Sequence, residues 1–206
     1  VNRVIGIDFD NTLICYDGVF LRLAREAGLV GPEALQQKAV REAARQSQEG
    51  DIAWQRLQGQ AYGPRIREAE PAAGALEFLI RCHQLGIPSW IISHKTQYAS
   101  IDPTDTDLRQ AARAWMELHG FLAPATGLGP ERLRFGATRQ EKIAHIRATG
   151  CTHFIDDLEE TFREPDFPAG VQGILYVPGE GRIPNDLPHL WVARSWPEIS
   201  ARILHD

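Results

Sequence analysis

The feature that most limits what this chain can become is its rhythm from residue 71 onward, where short apolar runs alternate with helical stretches. Pro71–Leu85 reads as a helix stopped by Gly86, with Ala72, Ala75, Leu76, Leu79 and His83 along one side. IPSWII, Ile87–Ile92, follows as a strand, and Asp107–His119 as a helix ended by Gly120. Arg132–Phe135 is a short strand. Thr138 and Glu141 form a capping box that opens a helix over Gln140–Thr149, which Gly150 stops. His153–Ile155, Gly173–Val177 and Leu190–Ala193 are strands, and Ser195 caps a closing helix. Near the start, Val4–Ile7 is apolar without alternation, as expected of a strand buried on both faces. Strands separated by helices of about ten to fifteen residues imply βαβ units, right-handed crossovers and an α/β fold on a parallel sheet.

Between residues 16 and 70 the texture changes. Ala, Gln, Arg and Glu dominate, and Gly28, Gly31, Gly50 and Gly63 punctuate. The pattern predicts helices over Val19–Ala27, over Pro32–Ser47 with Pro32 in the first turn, and over Asp51–Tyr62 with Asp51 as N-cap. The middle helix has few apolar residues and can bury only a narrow stripe. Residues 1–15 and 71–206 therefore read as an α/β core, and 16–70 as a small all-helical insertion. Trp54 and Tyr62 are expected to pack the insertion's own interior.

In an open parallel sheet the reactive groups belong beyond the carboxyl ends of the strands. Reading past each strand gives Asp8 and Asp10, then Ser93 and His94, then Asp156 and Asp157. Asp8 and Asp10 project to the same side of an extended chain, with Cα atoms about 7 Å apart. Crowded acids repel, and burial drives them toward protonation unless a cation lies among them. Oxygen donors with no nearby Cys or paired His favour a hard ion, Mg²⁺ first. Lys142, early in the capped helix, adds fixed positive charge, and Ser93 adds a hydrogen-bond donor. A nucleophilic carboxylate surrounded by a cation, a lysine and a hydroxyl suits phosphoryl transfer.

Four stretches carry a family resemblance. IGIDFDNTL, from Ile5 to Leu13, resembles the first motif of the haloacid dehalogenase-like (HAD) hydrolases, an apolar strand followed by DxDxT. WIIS ending at Ser93 resembles the second, Lys142 in TRQEKIAHI the third and FIDDLEE the fourth. They stand in the family's order and span Val4 to about Glu160. The resemblance implies a HAD-type, Rossmann-like three-layer sandwich with a parallel central sheet, and it makes 16–70 a small helical cap inserted after the first motif.

It also implies roles. Asp8 would be the nucleophile that becomes an aspartyl phosphate, and Asp10 the acid for the leaving oxygen and then the base for water. Thr12 would hold the turn. Ser93 and Lys142 would grip the phosphoryl oxygens, with Asn11 and His94 beside them. Asp8, the Asp10 backbone carbonyl and Asp157 would hold Mg²⁺, while Asp156 would act through water or orient Lys142. Asparagine is common in the family where His94 stands, so this imidazole either faces the phosphate or replaces a structural hydrogen bond. Dehalogenases of the family lack the second aspartate, so Asp10 points away from carbon–halogen chemistry. The implied activity is that of a Mg²⁺-dependent phosphomonoester hydrolase for a small phosphorylated metabolite. A phosphomutase or phosphotransferase, or a non-enzymatic phosphate-metabolite-binding domain, is the alternative.

Composition narrows the rest. The 206 residues, 43% hydrophobic and 24% charged, suffice for one core with a small lobe. A net charge of −5 argues against general nucleic-acid or anionic-membrane binding, and against a nuclease with a basic channel. Apolar runs are too short for a membrane span, and VNRVIGID reads as a strand and not a signal peptide. Cys15, Cys82 and Cys151 are far apart and outside any CxxC spacing, as expected of reduced thiols in a cytoplasmic protein, with Cys15 buried. Lys95 is expected to be a solvated loop residue. Asp102, Asp105 and Asp107 read as loop and N-cap acids, because the glycine and terminal glutamate of an EF-hand are missing. Arg139 and Arg147 compete with Lys142 for the phosphate, and Trp191, Trp196 and Leu204 suit either core or a contact surface.

Overall fold

The computed structural model of the chain describes residues 3–34, 37–101, 104–179, 181, 183–184, 186–187 and 189–204. In chain order the elements begin with β1 (Ile5–Ile7), β2 (Ile14–Cys15), α1 (Asp17–Glu26), α2 (Gln37–Gln46) and α3 (Asp51–Tyr62). Next come β3 (Glu70–Pro71), α4 (Ala75–Gln84), β4 (Ser89–His94), α5 (Leu108–Leu118), β5 (Leu133–Gly136) and α6 (Arg139–Ala148). The chain closes with β6 (His153–Asp156), α7 (Glu159–Phe162), β7 (Gln172–Tyr176), β8 (Trp191–Ala193) and α8 (Trp196–Leu204). Two compact units result: Val1–Leu13 with Pro71–Lys95 and His119–Asp206, and Ile14–Glu70 with Thr96–Leu118.

The first unit is built on a six-stranded sheet of order β5-β4-β1-β6-β7-β8, every pair parallel. This is the α/β architecture on a parallel sheet that the strand–helix rhythm implies, and the Rossmann-like core that the family resemblance implies. Ile5, Ile7, Ile91, Ile92, Phe154 and Ile155 are buried in the three central strands. Gly6 permits the close approach of β1 to β6, because a Cβ there would lie 2.6 Å from the Phe154 ring and 2.7 Å from Cys151 Sγ. Trp196 is fully buried, and its Nε1 donates to the Thr12 carbonyl at 3.2 Å. That bond ties the turn after β1 to α8, so Trp196 is core.

The second unit is helical. Its interior is aromatic: Phe20 stacks on Trp54 with ring centroids 4.9 Å apart, and Tyr16 meets Tyr62 edge-on at 4.8 Å. It also takes in α5, which the rhythm alone assigns to the α/β core. The reason lies in the buried face of α5, where Trp115 is enclosed and donates from Nε1 to the Ala69 carbonyl at 2.9 Å.

Several boundaries differ from the sequence reading. Pro71 lies in β3, and Gly74, at φ +88°, precedes α4, so that helix begins four residues late. Its buried face is Ala75, Phe78, Leu79 and Cys82, which leaves His83 exposed. Pro32 is outside α2, which runs over Gln37–Gln46 and buries only Val40 and Ala44. Gly50 occupies the N-cap of α3, while the Asp51 carboxylate accepts from Arg45 Nε at 2.9 Å. Asp107 does cap α5, its Oδ1 accepting from the backbone N–H groups of Arg109 and Gln110, both at 2.9 Å. Asp102 lies outside the described residues. Cys15 is exposed, not buried, and none of the three cysteines forms a disulfide. No helix of the described residues is long and apolar enough to cross a membrane.

Candidate functional site

The chain runs outward from β1 to β4 and β5, returns to β6 on the other side of β1, and runs outward again through β7 and β8. The reversal falls between β1 and β6. In a sheet of this kind the crevice opens there, beyond the carboxyl ends of the strands. Asp8 is the first residue past β1, and its N–H donates to the Ile155 carbonyl of β6 at 2.9 Å. Asp156 is the last residue of β6. The two acids are thus held on adjacent strand ends by the sheet itself.

Lys142 reaches both of them. Its Nζ donates to Asp8 Oδ1 at 2.6 Å and to Asp156 Oδ2 at 2.7 Å, and it lies 5.5 Å above the centroid of the Phe154 ring. The local sequence explains how a helix residue arrives there. β5 ends at Gly136, where a Cβ would lie 2.8 Å from the Lys142 backbone nitrogen, so the strand can turn tightly into α6. Thr138 caps that helix by accepting from the Glu141 N–H at 3.1 Å. The Glu141 side chain accepts in return from the Ala137 N–H at 2.7 Å, one residue ahead of the cap. Arg139 and Arg147 do not compete for the position. Arg139 pairs with Glu164 at 3.0 Å, and Arg147 donates to the Asp166 carbonyl at 2.7 Å.

Asp157 follows Asp156, and its Oδ1 accepts from the Thr12 hydroxyl at 3.4 Å. Asp8, Asp156 and Asp157 each offer a carboxylate oxygen, and these oxygens lie within 4.8 Å of one another. Asp156 also accepts from the Leu158 N–H at 2.9 Å, so it closes the turn after β6 while orienting Lys142. Ser93 is buried in β4; Ile7 pairs with Ile91, which puts Ser93 level with Phe9, between the two acids of the first motif. Asn11 takes a left-handed conformation, φ +53°, in the turn after β1, where asparagine is better tolerated than most residues. The His94 Nε2 lies 3.1 Å from the Ala137 carbonyl, a structural contact with the loop that leads into α6.

Lys95 departs from the sequence reading. It is only 3% exposed, and its Nζ lies 3.0 Å from Asp10 Oδ1 and 2.9 Å from Asp10 Oδ2. It rests 5.5 Å over the Phe9 ring. The sequence carries a signal for this: Lys95 stands directly behind the reactive end of β4, placed like the other site residues.

The electrostatics follow from burial. Loss of water pushes the Asp8 carboxyl up to about 7, opposed by Lys142 and reinforced by Asp156 and Asp10. Burial, with Asp156 and Asp8 nearby, holds Asp157 well above the ordinary carboxylate range. Burial alone would lower Lys142, yet Asp156 and Asp8 outweigh it and the ammonium stays charged. Counting Asp10 and Lys95, four carboxylates face two ammonium groups, a surplus that one divalent cation would balance. The three carboxylate oxygens, within 4.8 Å of one another, are close enough to converge on one ion, and an all-oxygen donor set suits a hard one. The residues therefore fit a hard divalent cation.

No protein-family model matches the chain, and no curated protein matches it. Solved structures do. A HAD family hydrolase from Deinococcus radiodurans R1, with bound phosphate and sodium, superposes with a TM-score of 0.62 at 15% identity, covering 98% of this chain and 95% of that one. The putative HAD-hydrolase YfnB from Bacillus subtilis, bound to magnesium, gives 0.61 at 14% identity and 98% of both chains. An L-2-haloacid dehalogenase gives 0.54 at 13% identity, again with 98% of both chains. Likeness at this level of identity concerns the fold and not the chemistry. The chain has the fold of the haloacid dehalogenase-like hydrolases.

Proposed function

We propose that this chain is a Mg²⁺-dependent phosphomonoester hydrolase that acts on a small organic phosphate through an aspartyl-phosphate intermediate. One observation carries the reading: a buried ammonium, Lys142, bridges Asp8 and Asp156 at 2.6 and 2.7 Å, with Asp157 alongside. A fixed positive charge against a strand-end carboxylate is what an incoming phosphoryl group requires of a nucleophile's surroundings. Asp10 favours phosphate over halide, because an alkoxide leaving group needs a proton and a halide does not. Asp8, Asp157 and the Asp10 carbonyl would hold the Mg²⁺ ion. When bound, the ion supplies charge neutralisation at the phosphoryl oxygens.

The chain's own residues then divide the work. An Asp8 carboxylate oxygen attacks phosphorus, the bond to the ester oxygen breaks, and its electron pair stays on that oxygen, which takes the proton from Asp10. Water next attacks phosphorus and gives its proton to the Asp10 carboxylate. The bond between phosphorus and the Asp8 oxygen breaks, which returns the Asp8 carboxylate and releases inorganic phosphate. Lys142 and Ser93 hold the phosphoryl oxygens in both steps.

A panel of sugar, nucleotide and small-acid phosphates with Mg²⁺, read as released phosphate, tests the proposal. Release from at least one class is expected, abolished by EDTA and restored by Mg²⁺ better than by Ca²⁺, which prefers more ligands. Sugar-phosphate isomers without free phosphate would indicate a mutase instead. Binding without turnover across the panel would leave a phosphate-binding domain.

A further inference from the structure

The contact between Lys95 and Asp10 is a strong interaction in the site that the proposed reaction does not use. Ordering a lysine side chain costs on the order of 1.5–2 kcal/mol of rotamer freedom, and burying its charge costs more. Such a residue is retained in the interior only where its ammonium is well satisfied. Here the Asp10 carboxylate meets it at both oxygens, 3.0 and 2.9 Å away, with the Phe9 ring beneath. The lysine side chain is 2% exposed and that of Asp10 is 21% exposed, so the pair has a buried end and a partly exposed end.

The backbone is fixed as well. The Lys95 N–H donates to the Gly136 carbonyl at 2.8 Å, in the same tight turn that launches the helix bearing Lys142. An ammonium within hydrogen-bond distance of both oxygens, on a backbone that is itself hydrogen-bonded, anchors the Asp10 carboxyl group in place.

We propose that Lys95 is the positioning residue of the general acid: it sets the orientation in which the Asp10 carboxyl meets the leaving oxygen. The inference rests on the phosphomonoesterase reading and deepens it. A proton is delivered well only from an oxygen held within hydrogen-bond reach of its acceptor, and a displacement of about 1 Å can cost on the order of 100-fold. Lys95 touches neither the phosphorus nor the ester oxygen in this account. It acts through Asp10.

The test compares two esters with K95M and K95Q in the presence of Mg²⁺. Phenyl phosphate releases a leaving group that needs a proton, whereas dinitrophenyl phosphate releases one that departs without help. For K95M, kcat/KM on phenyl phosphate should fall by about 10- to 100-fold while dinitrophenyl phosphate loses less than about threefold. K95Q keeps a donor toward one oxygen and should fall between the two, which preserves the test if K95M does not fold. Equal losses on both esters would overturn the proposal, because a general structural defect does not sense the leaving group. A rise in KM with kcat retained would overturn it too, since Lys95 would then be a substrate contact. Wild-type protein that releases phosphate from neither ester nor any member of the metabolite panel overturns the phosphatase reading, and the role of Lys95 with it.

Discussion

Replacement of Lys142 by methionine isolates the interaction on which the site depends. The side chain is of similar length and fills the same space above Phe154, so the change removes charge more than volume. At 2.6 and 2.7 Å, with an effective dielectric near 20, each contact contributes roughly 6 kcal/mol of attraction before desolvation is set against it. Most of that is offset by the cost of burying three charges. What remains on breaking a buried pair is typically about 3–5 kcal/mol, and Asp8 and Asp156, 4% and 0% exposed, have little water to turn to. Each kcal/mol moves Tm by about 2–4 °C in a protein of this size, so a loss of about 4 kcal/mol lowers it by roughly 8–16 °C. The loss should depend on pH. Below about 7, Asp8 carries a proton in both proteins and only Asp156 is left unpaired; above it, wild-type Asp8 is ionised and held by Lys142. Melting followed by circular dichroism at pH 5.5 and pH 8, without metal, should show the larger gap between variant and wild type at pH 8. The same gap at both values, or one below about 2 °C, would refute the electrostatic account.

Other consequences are read independently. Asp8→Asn should abolish phosphate release, since an amide does not attack phosphorus; retention of about a hundredth of the activity would remove Asp8 from the nucleophile's role. The raised Asp8 has a stated sign for stability. The unfolded chain gives up this proton near 3.8 and the folded chain keeps it to about 7, so the metal-free protein should lose stability as pH rises through that window. Mg²⁺ requires the ionised form, so its affinity should increase with pH through about 7 with proton release, visible as calorimetric heats that depend on the buffer; an affinity constant from pH 6 to 8 would contradict this. Gly136→Ala puts a Cβ 2.8 Å from the Lys142 nitrogen and should cost about 1–3 kcal/mol while displacing that ammonium; an alanine variant with wild-type Tm and turnover would show that the turn has slack.

Much of the α/β framework was legible because its signals are local. Apolar runs such as those of β1 and β6 admit little but buried strands, and Thr138 with Glu141 marks a helix start wherever it occurs. The strand-end rule then brought Asp8, Asp156 and Asp157 together without any knowledge of strand order. What stayed hidden depends on tertiary choice. The buried face of α4 rotates to Phe78 and Cys82 because the larger ring wins the interior, and periodicity alone does not rank Phe78 against His83. Helix α5 has the same texture as the core helices, and only the seat of Trp115 beside Ala69 reveals its unit.

Lys95 shows why the hardest residues to read are charged ones. A lysine in a polar stretch is solvated unless something beyond its own neighbourhood compensates its burial, and here that partner lies 85 positions away. Yet the compensation follows a pattern already visible at Lys142: each site lysine lies over an aromatic ring that belongs to an acid-bearing motif, Phe9 for one and Phe154 for the other. Phe9 stands between Asp8 and Asp10, and Phe154 stands two residues before Asp156. In each case the ring makes an apolar floor that keeps water from the ammonium, and the neighbouring acid supplies the counter-charge. An aromatic residue beside a strand-end acid is therefore a cue that a distant cation will be recruited there. The cue specifies the charge of the missing partner, although only the fold specifies its number.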